Sequence, residues 1–202
     1  INEQGQATYK YFALQKILQQ YRTDEQPMFP QPEPIPVMEI PEIEMKAFTS
    51  VWNNLPSPIL SVQPKPFEYF DHFYGFAVYK TKLIGRKQGK LKITDLHDYA
   101  TVFVDGKYIG TIDRSEGQNT LDLPKVESKN PVLEIFVEAM GRINFAQELI
   151  DRKGITERVT LNGMILMNWE IFPLPMYPAY ITNLSQAENN SKPGIFFKGE
   201  FL

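Results

Sequence analysis

Two dipeptides constrain the fold more than anything else in the chain. Asp105-Gly106 and Asn162-Gly163 each stand between short runs of alternating apolar residues. Each pair supplies the positive φ angles that a tight two-residue hairpin turn demands, so these four are structural residues of two β-hairpins. Around the first turn, Val102 and Val104 fall on one strand face, and across the turn Val102 lies opposite Ile109, which extends that face. Phe103, Tyr108 and Ile112 fall on the other face, which is therefore only partly polar. Val132 to Glu138 also alternates, with Leu133, Ile135 and Val137 on one side. From Phe67 onward, turn signals recur at intervals of roughly ten residues, the pattern of a sandwich or jelly roll. Strands are predicted over Tyr74–Ile84, Lys90–Thr94, Thr101–Asp113 with its turn, Thr120–Leu123, Val132–Glu138 and Val159–Phe172. The predicted core comprises Val102, Val104, Ile109, Leu133, Ile135, Val137 and Ile165.

One helix stands apart from this β pattern. Over Thr8–Tyr21, Tyr11, Leu14, Leu18 and Tyr21 recur at spacings of three and four, with Thr8 as N-cap. A helix of this length is marginal alone in water, so its apolar face calls for a partner, which could be a second copy of the chain. Residues 23–41 form a linker in which Pro27, Pro30, Pro32, Pro34, Pro36 and Pro41 impose an extended path. The linker then enters a strand on which Ile43, Met45 and Ala47 alternate with Glu42, Glu44 and Lys46, and Ser50–Leu55 reads as a short helical turn. Tyr177–Pro193 is a polar connector, and Gly194–Leu202 opens another β element. The organisation is therefore a helix at 1–22, a proline-rich linker and entering strand at 23–66, a β-sandwich at 67–176, and a connector with a first strand at 177–202. The chain opens at Ile1 without an initiator Met and stops inside an apolar run, so both ends read as cut.

Composition removes several function classes. The net charge is −3 and no basic stripe is present, which argues against nucleic acid as a partner. No apolar run approaches the roughly 20 residues that span a bilayer. Cysteine is absent, so disulfides and thiolate metal sites are excluded, while the compartment stays open.

Groups that could carry chemistry are few. Glu134 and Glu138 share a strand face, as do Glu42 and Glu44, and both pairs read as solvated faces rather than an acid/base pair. His72 and His97 are the only histidines. Neither stands in a metal-ligand spacing, and no nucleophile-elbow motif accompanies them, so both read as turn histidines bonded to their neighbours. Arg142, in Gly141-Arg142-Ile143-Asn144-Phe145, reads as a structural residue that ties loops together through a buried acid, with Asp113, Asp151 and Glu138 as candidate partners. The run Phe67-Glu68-Tyr69-Phe70-Asp71-His72-Phe73-Tyr74 is the leading candidate for a partner-facing surface, and Trp169 reads as packed in a core or interface. No catalytic set, metal site or cofactor follows from these residues, and none of them is singled out as a carbohydrate contact.

The wording of several segments adds a resemblance. Asp95–Arg114 (DLHDYATVFVDGKYIGTIDR), Leu133–Ala146 (LEIFVEAMGRINFA), Tyr74–Thr81 (YGFAVYKT) and Asp151–Thr156 (DRKGIT) resemble the non-catalytic β-domain region of family 35 glycoside hydrolases, the β-galactosidases. The resemblance implies a mainly β chain: a galactose-binding-like jelly-roll β-sandwich with one N-terminal helix. The segment at 1–22 resembles the closing helix of a (β/α)8 barrel, Pro27–Leu60 the traverse to the sandwich, and Pro193–Leu202 the first strand of a second β-domain. It further implies that the two catalytic glutamates lie on barrel strands upstream of Ile1, about 5 Å apart as retention requires, so none has a matching position here. The expected partner is that missing barrel, with a β-galactoside as a possible ligand. The expected setting of the parent protein is periplasmic or extracellular. The rival reading is an autonomous carbohydrate-binding module, which an exposed aromatic near Asp or Arg at one end of the sandwich would support.

Overall fold

A computed structural model describes residues 1–27, 29, 32–85, 87–187 and 192–200. Contacts divide the chain into two compact units, one comprising Ile1–Glu44 with the segment after Lys198, the other Met45–Lys198.

In the first unit, helix α1 covers Tyr9–Gln19, shorter at both ends than the periodicity predicts. Thr8 occupies the N-cap in extended conformation, but its side chain makes no capping hydrogen bond. None of the helix side chains is buried. The following segment carries no regular structure among its described residues, as its prolines dictate. Pro30 lies outside the described residues.

The second unit carries the strands β1 (Lys46–Ser50), β2 (Ile59–Ser61), β3 (Phe76–Lys82), β4 (Gly89–Ile93), β5 (Leu96–His97), β6 (Tyr99–Val104) and β7 (Lys107–Asp113). These are followed by β8 (Thr120–Leu123), β9 (Val132–Glu138), β10 (Gly154–Ile155), β11 (Val159–Leu161), β12 (Met164–Ile165), β13 (Trp169–Leu174) and β14 (Ile195–Lys198). A six-stranded sheet runs β2-β13-β3-β9-β6-β7 and a four-stranded sheet runs β12-β11-β4-β8. Both are antiparallel throughout. The two sheets close on one core. Ala77, Tyr79, Val102, Leu133, Ile135, Val137, Trp169 and Ile171 come from the first sheet, and Leu91, Ile93, Leu123, Val159 and Leu161 from the second. Trp169 is fully buried, donates its indole N–H to the Leu166 carbonyl at 3.0 Å and meets Tyr79 edge-on.

Both glycine turns form as the dipeptides require, with φ of 49° and 76° at Asp105 and Gly106 and 49° and 81° at Asn162 and Gly163. Each turn also stitches a neighbour. Asp105 Oδ1 accepts the Val132 N–H at 2.8 Å, and Asn162 Oδ1 accepts the Lys90 N–H at 2.9 Å.

Three expectations need correction. In the first hairpin the register shifts between Val102 and Phe103, so Val102 faces Gly110 rather than Ile109. This bulge offsets the alternation by one residue. Ile109 and Ile112, three apart, therefore both pack on the core, and Ile112 joins the Ala100 side instead of the outer face. Secondly, Ile165 is 52% exposed. It pairs across from Thr160, whose neighbours Val159 and Leu161 point inward, so it shares the outward face of its sheet. Thirdly, the entering strand begins at Lys46, leaving Glu42 to Met45 outside it.

The outer face of the six-stranded sheet is not solvated. Phe76, Val78, Phe136, Phe172 and Leu174 there form a second apolar cluster with Val51, Trp52, Leu55, Tyr180 and Phe196. The cover comes from a short 3-10 turn at Val51–Asn53, from helix α2 (Pro178–Thr182) inside the connector, and from β14, which pairs antiparallel with β1. Phe201 and Leu202, the end of the predicted last β element, lie outside the described residues. Burial on both faces explains why β3 and β13 read as nearly continuous apolar runs.

The packing sets a contrast that equilibrium unfolding can read. Val104→Ala should lose about 1–3 kcal/mol through lost burial and a cavity. Ile165→Ala, at an exposed edge, should stay within about 0.5 kcal/mol.

Candidate functional site

Polar groups concentrate at one end of the sandwich, where β5, the start of β6, the 3-10 turn Arg114–Glu116 after β7 and the entry to β10 converge. Asp151 and Lys153 are both buried. The Lys153 ammonium lies 2.6 Å from Asp98 and 2.5 Å from Asp151. Arg114 reaches the same two carboxylates at 2.8 and 2.9 Å. His97 is buried, with one ring nitrogen 2.7 Å from Asp151 and the other 2.9 Å from Asp95. Thr156 closes the ring with hydrogen bonds to the Asp95 carboxylate and carbonyl.

The electrostatics follow from this geometry. Burial alone would raise the Asp151 carboxyl, but the close Lys153 ammonium and the hydrogen bonds from Arg114 and His97 pull it down to about 2. Asp151 Oδ2 makes no well-aligned hydrogen bond and meets Lys153 as a charge contact. Asp95 is also held below the usual carboxylate range, because the Thr156 and His97 hydrogen bonds outweigh its partial burial. His97, Asp98 and Asp151 have the donor types and proximity of a metal site. Their carboxylates already face the ammonium of Lys153 and the guanidinium of Arg114, which neutralise them and repel a second cation. The arrangement clamps the segments together and holds no poised nucleophile.

Arg142 does tie loops together, but not through the predicted acids. Its partner is Glu68, at 2.8 Å, and its other hydrogen bonds go to the backbone carbonyls of Phe73 and Asp151. The guanidinium is substantially exposed rather than off the surface. Glu68 also accepts the Lys153 N–H, so one carboxylate links the turn at Phe67–Phe70 to the β9–β10 connection.

One further expectation changes. Glu134 is buried rather than solvated, paired with Lys80 at 3.1 Å and Lys192 at 2.5 Å, and burial raises the carboxyl of Glu138. The Lys192 ammonium also sits 3.1 Å from the Trp52 ring centre, and Trp52 donates to the Pro193 carbonyl at 2.7 Å. These contacts fasten the segment leading into β14 to the outer sheet face. His72 is buried against Phe67, with Nε2 2.8 Å from the Phe76 carbonyl, and burial lowers its basicity.

The predicted partner-facing run divides. Phe67 is fully buried, whereas Tyr69, Phe73 and Tyr74 are exposed, and Tyr74 stacks on Tyr177. The β9–β10 connection, tied to the Phe73 carbonyl by Arg142, exposes Met140, Phe145, Leu149 and Ile150, with Phe145 at 81% and Ile150 at 89%.

Residues 64–175 match the family described as "Beta-galactosidase, first all-beta domain". The β-galactosidase of Xanthomonas manihotis is 32% identical over 177 residues, covering 87% of this chain and 29% of its own length. β-Galactosidase 17 of Arabidopsis thaliana is 32% identical over 197 residues, covering 89% of this chain and 27% of its own. The β-galactosidase of Homo sapiens is 32% identical over 193 residues, covering 91% and 28%. The chain therefore spans less than a third of the length of these relatives.

Proposed function

The chain belongs to the β-galactosidase family through the region described as its first all-β domain, and from that premise we propose that it is a non-catalytic domain that braces the catalytic part of a longer β-galactosidase. In the parent protein the reaction is hydrolysis of a terminal β-linked galactose with retention, carried out by a pair of carboxylates about 5 Å apart on a barrel outside this chain. Residues 1–22, which carry α1, are the closing helical segment of that barrel.

The observation that carries this reading is the exposure of large apolar side chains on two segments, Phe73 and Tyr74 before β3 and Met140, Phe145, Leu149 and Ile150 between β9 and β10. The Arg142 bond to the Phe73 carbonyl ties the two segments together. Water-exposed apolar surface of this density marks an interaction site. The buried charge cluster at Asp151 and Lys153 anchors the end of the β9–β10 connection, which holds this loop for docking.

A chimera tests the reading. Residues 45–198 would replace the matching region of the Xanthomonas manihotis relative, with and without Phe145→Asp and Ile150→Asp. The unmodified chimera should hydrolyse a chromogenic β-galactoside. The double variant should lose roughly tenfold or more of that activity, the effect of about 1.4 kcal/mol of lost docking, while the isolated variant chain keeps its thermal midpoint. Equal activity of the two chimeras would remove the docking surface from the account.

A further inference from the structure

We propose that a cleft beside Tyr69, apart from the docking surface and independent of it in argument, binds an anionic saccharide. The cleft has a volume of about 810 Å³ and is walled by Gln63, Lys65, Tyr69, Arg152, Glu157 and Arg158. That size suits about two or three sugar units.

Its floor is built before any ligand arrives. The fully buried Tyr79 donates its hydroxyl to the Lys65 carbonyl at 2.8 Å. The Phe67 N–H donates to the Lys153 carbonyl at 2.8 Å, and Pro66 bridges to Gly154. Pro64 and Pro66 restrict the backbone of this wall further. A preformed wall reduces the ordering cost of binding.

The chemistry of the lining selects the ligand class. Tyr69 is 66% exposed, edge-on to Phe70, with the Lys65 ammonium 5.2 Å from its ring centre. A sugar ring presents a C–H face that packs against such an aromatic, and its hydroxyls need mixed donors and acceptors. Gln63 offers both, and the Thr156 hydroxyl oxygen, its proton directed at Asp95, can still accept. The charge balance adds the anion. Both carboxylates of the cleft are engaged, Glu68 with Arg142 at 2.8 Å and Glu157 with Arg158 at 3.7 Å. Arg152 is exposed and has no partner among the described residues. A guanidinium in a cleft that also holds a lysine fits a carboxylate or sulfate through paired N–H donors. A neutral sugar would leave the Arg152 guanidinium unmatched.

Titration of the 202-residue chain by NMR tests this. The probes are trigalacturonate, neutral galactotriose and adenosine monophosphate. Trigalacturonate should produce saturable shifts at residues 63–69 and 152–158, with galactotriose weaker by about tenfold, the scale of a lost charge-assisted bidentate pair. Arg152→Ala should weaken trigalacturonate by a similar factor, and Tyr69→Ala should weaken both saccharides. Arg152 and Tyr69 are surface residues, so the folded spectrum should survive each change. Absence of saturable shifts, equal affinity of the Arg152→Ala variant, or tighter binding of adenosine monophosphate than of trigalacturonate would each overturn the assignment.

Discussion

Asp151→Ala is expected to destabilise the chain by about 3–5 kcal/mol, because it strands buried positive charge. The Lys153 side chain is only 2% exposed and shares its charge between Asp98 and Asp151. Without Asp151 it keeps one partner, Arg114 loses one of its two carboxylates, and His97 loses its shortest contact. A loss of that size is a large share of the about 5–15 kcal/mol that holds an ordinary domain together. Urea unfolding at neutral pH measures it through the shift in midpoint at unchanged slope. Asp151→Asn keeps the shape and removes the charge, so it should fall between the two.

The same carboxylate gives a pH signature of defined sign. Its folded value of about 2 lies below the ordinary 3.8. The stabilisation it provides is therefore fully present above the unfolded value and is lost as pH falls through about 2. Asp95, also depressed, acts in the same direction. The native chain should lose stability between about pH 4 and pH 2, and Asp151→Asn should flatten that limb.

Gly154→Ala is the second change expected to be severe. Gly154 has φ of +92°, and a Cβ built there would lie 2.5 Å from the Tyr79 hydroxyl and 2.6 Å from Phe67. Both neighbours are fully buried and cannot swing away. Strain at positive φ contributes about 1–3 kcal/mol, and overpacking a filled core adds about 1–3 kcal/mol. Calorimetry should show a lowered melting temperature. A Tyr79→Phe background, which removes the nearest atom, should recover part of the loss. Gly163→Ala is the control, since a Cβ there meets nothing within 4 Å despite a φ of +81°. It should cost only the backbone part.

The sequence makes the hairpins legible because their information is local. Asp105-Gly106 and Asn162-Gly163 can each form only a few turns, and β8 and β9 fall on the predicted residues. What it conceals depends on tertiary partners. No residue type announces the bulge at Val102 and Phe103, yet that bulge decides which side Ile112 faces. Ile165 alternates like a core residue, but β12 is a two-residue edge strand and turns it outward. Glu134 reads as solvated because its cover, Lys192 and Trp52, comes from distant segments. The charge cluster is illegible for the same reason. Residues 95–98, 114 and 151–156 carry no shared local pattern, and Arg142 could be recognised as a loop tie without its acid, Glu68, being named. The one local trace of the cluster is Asp-Arg-Lys-Gly at 151–154, a lysine two residues from an aspartate just before a glycine-led strand.

The central claim is that this domain braces a catalytic centre it does not contain, and incubation of the purified chain with a chromogenic β-galactoside from acid to neutral pH tests it most directly. The account predicts no turnover above the buffer blank at any pH. Hydrolysis that follows the protein through successive purification steps would contradict it, most sharply if Asp151→Asn abolished that activity while the chain stayed folded.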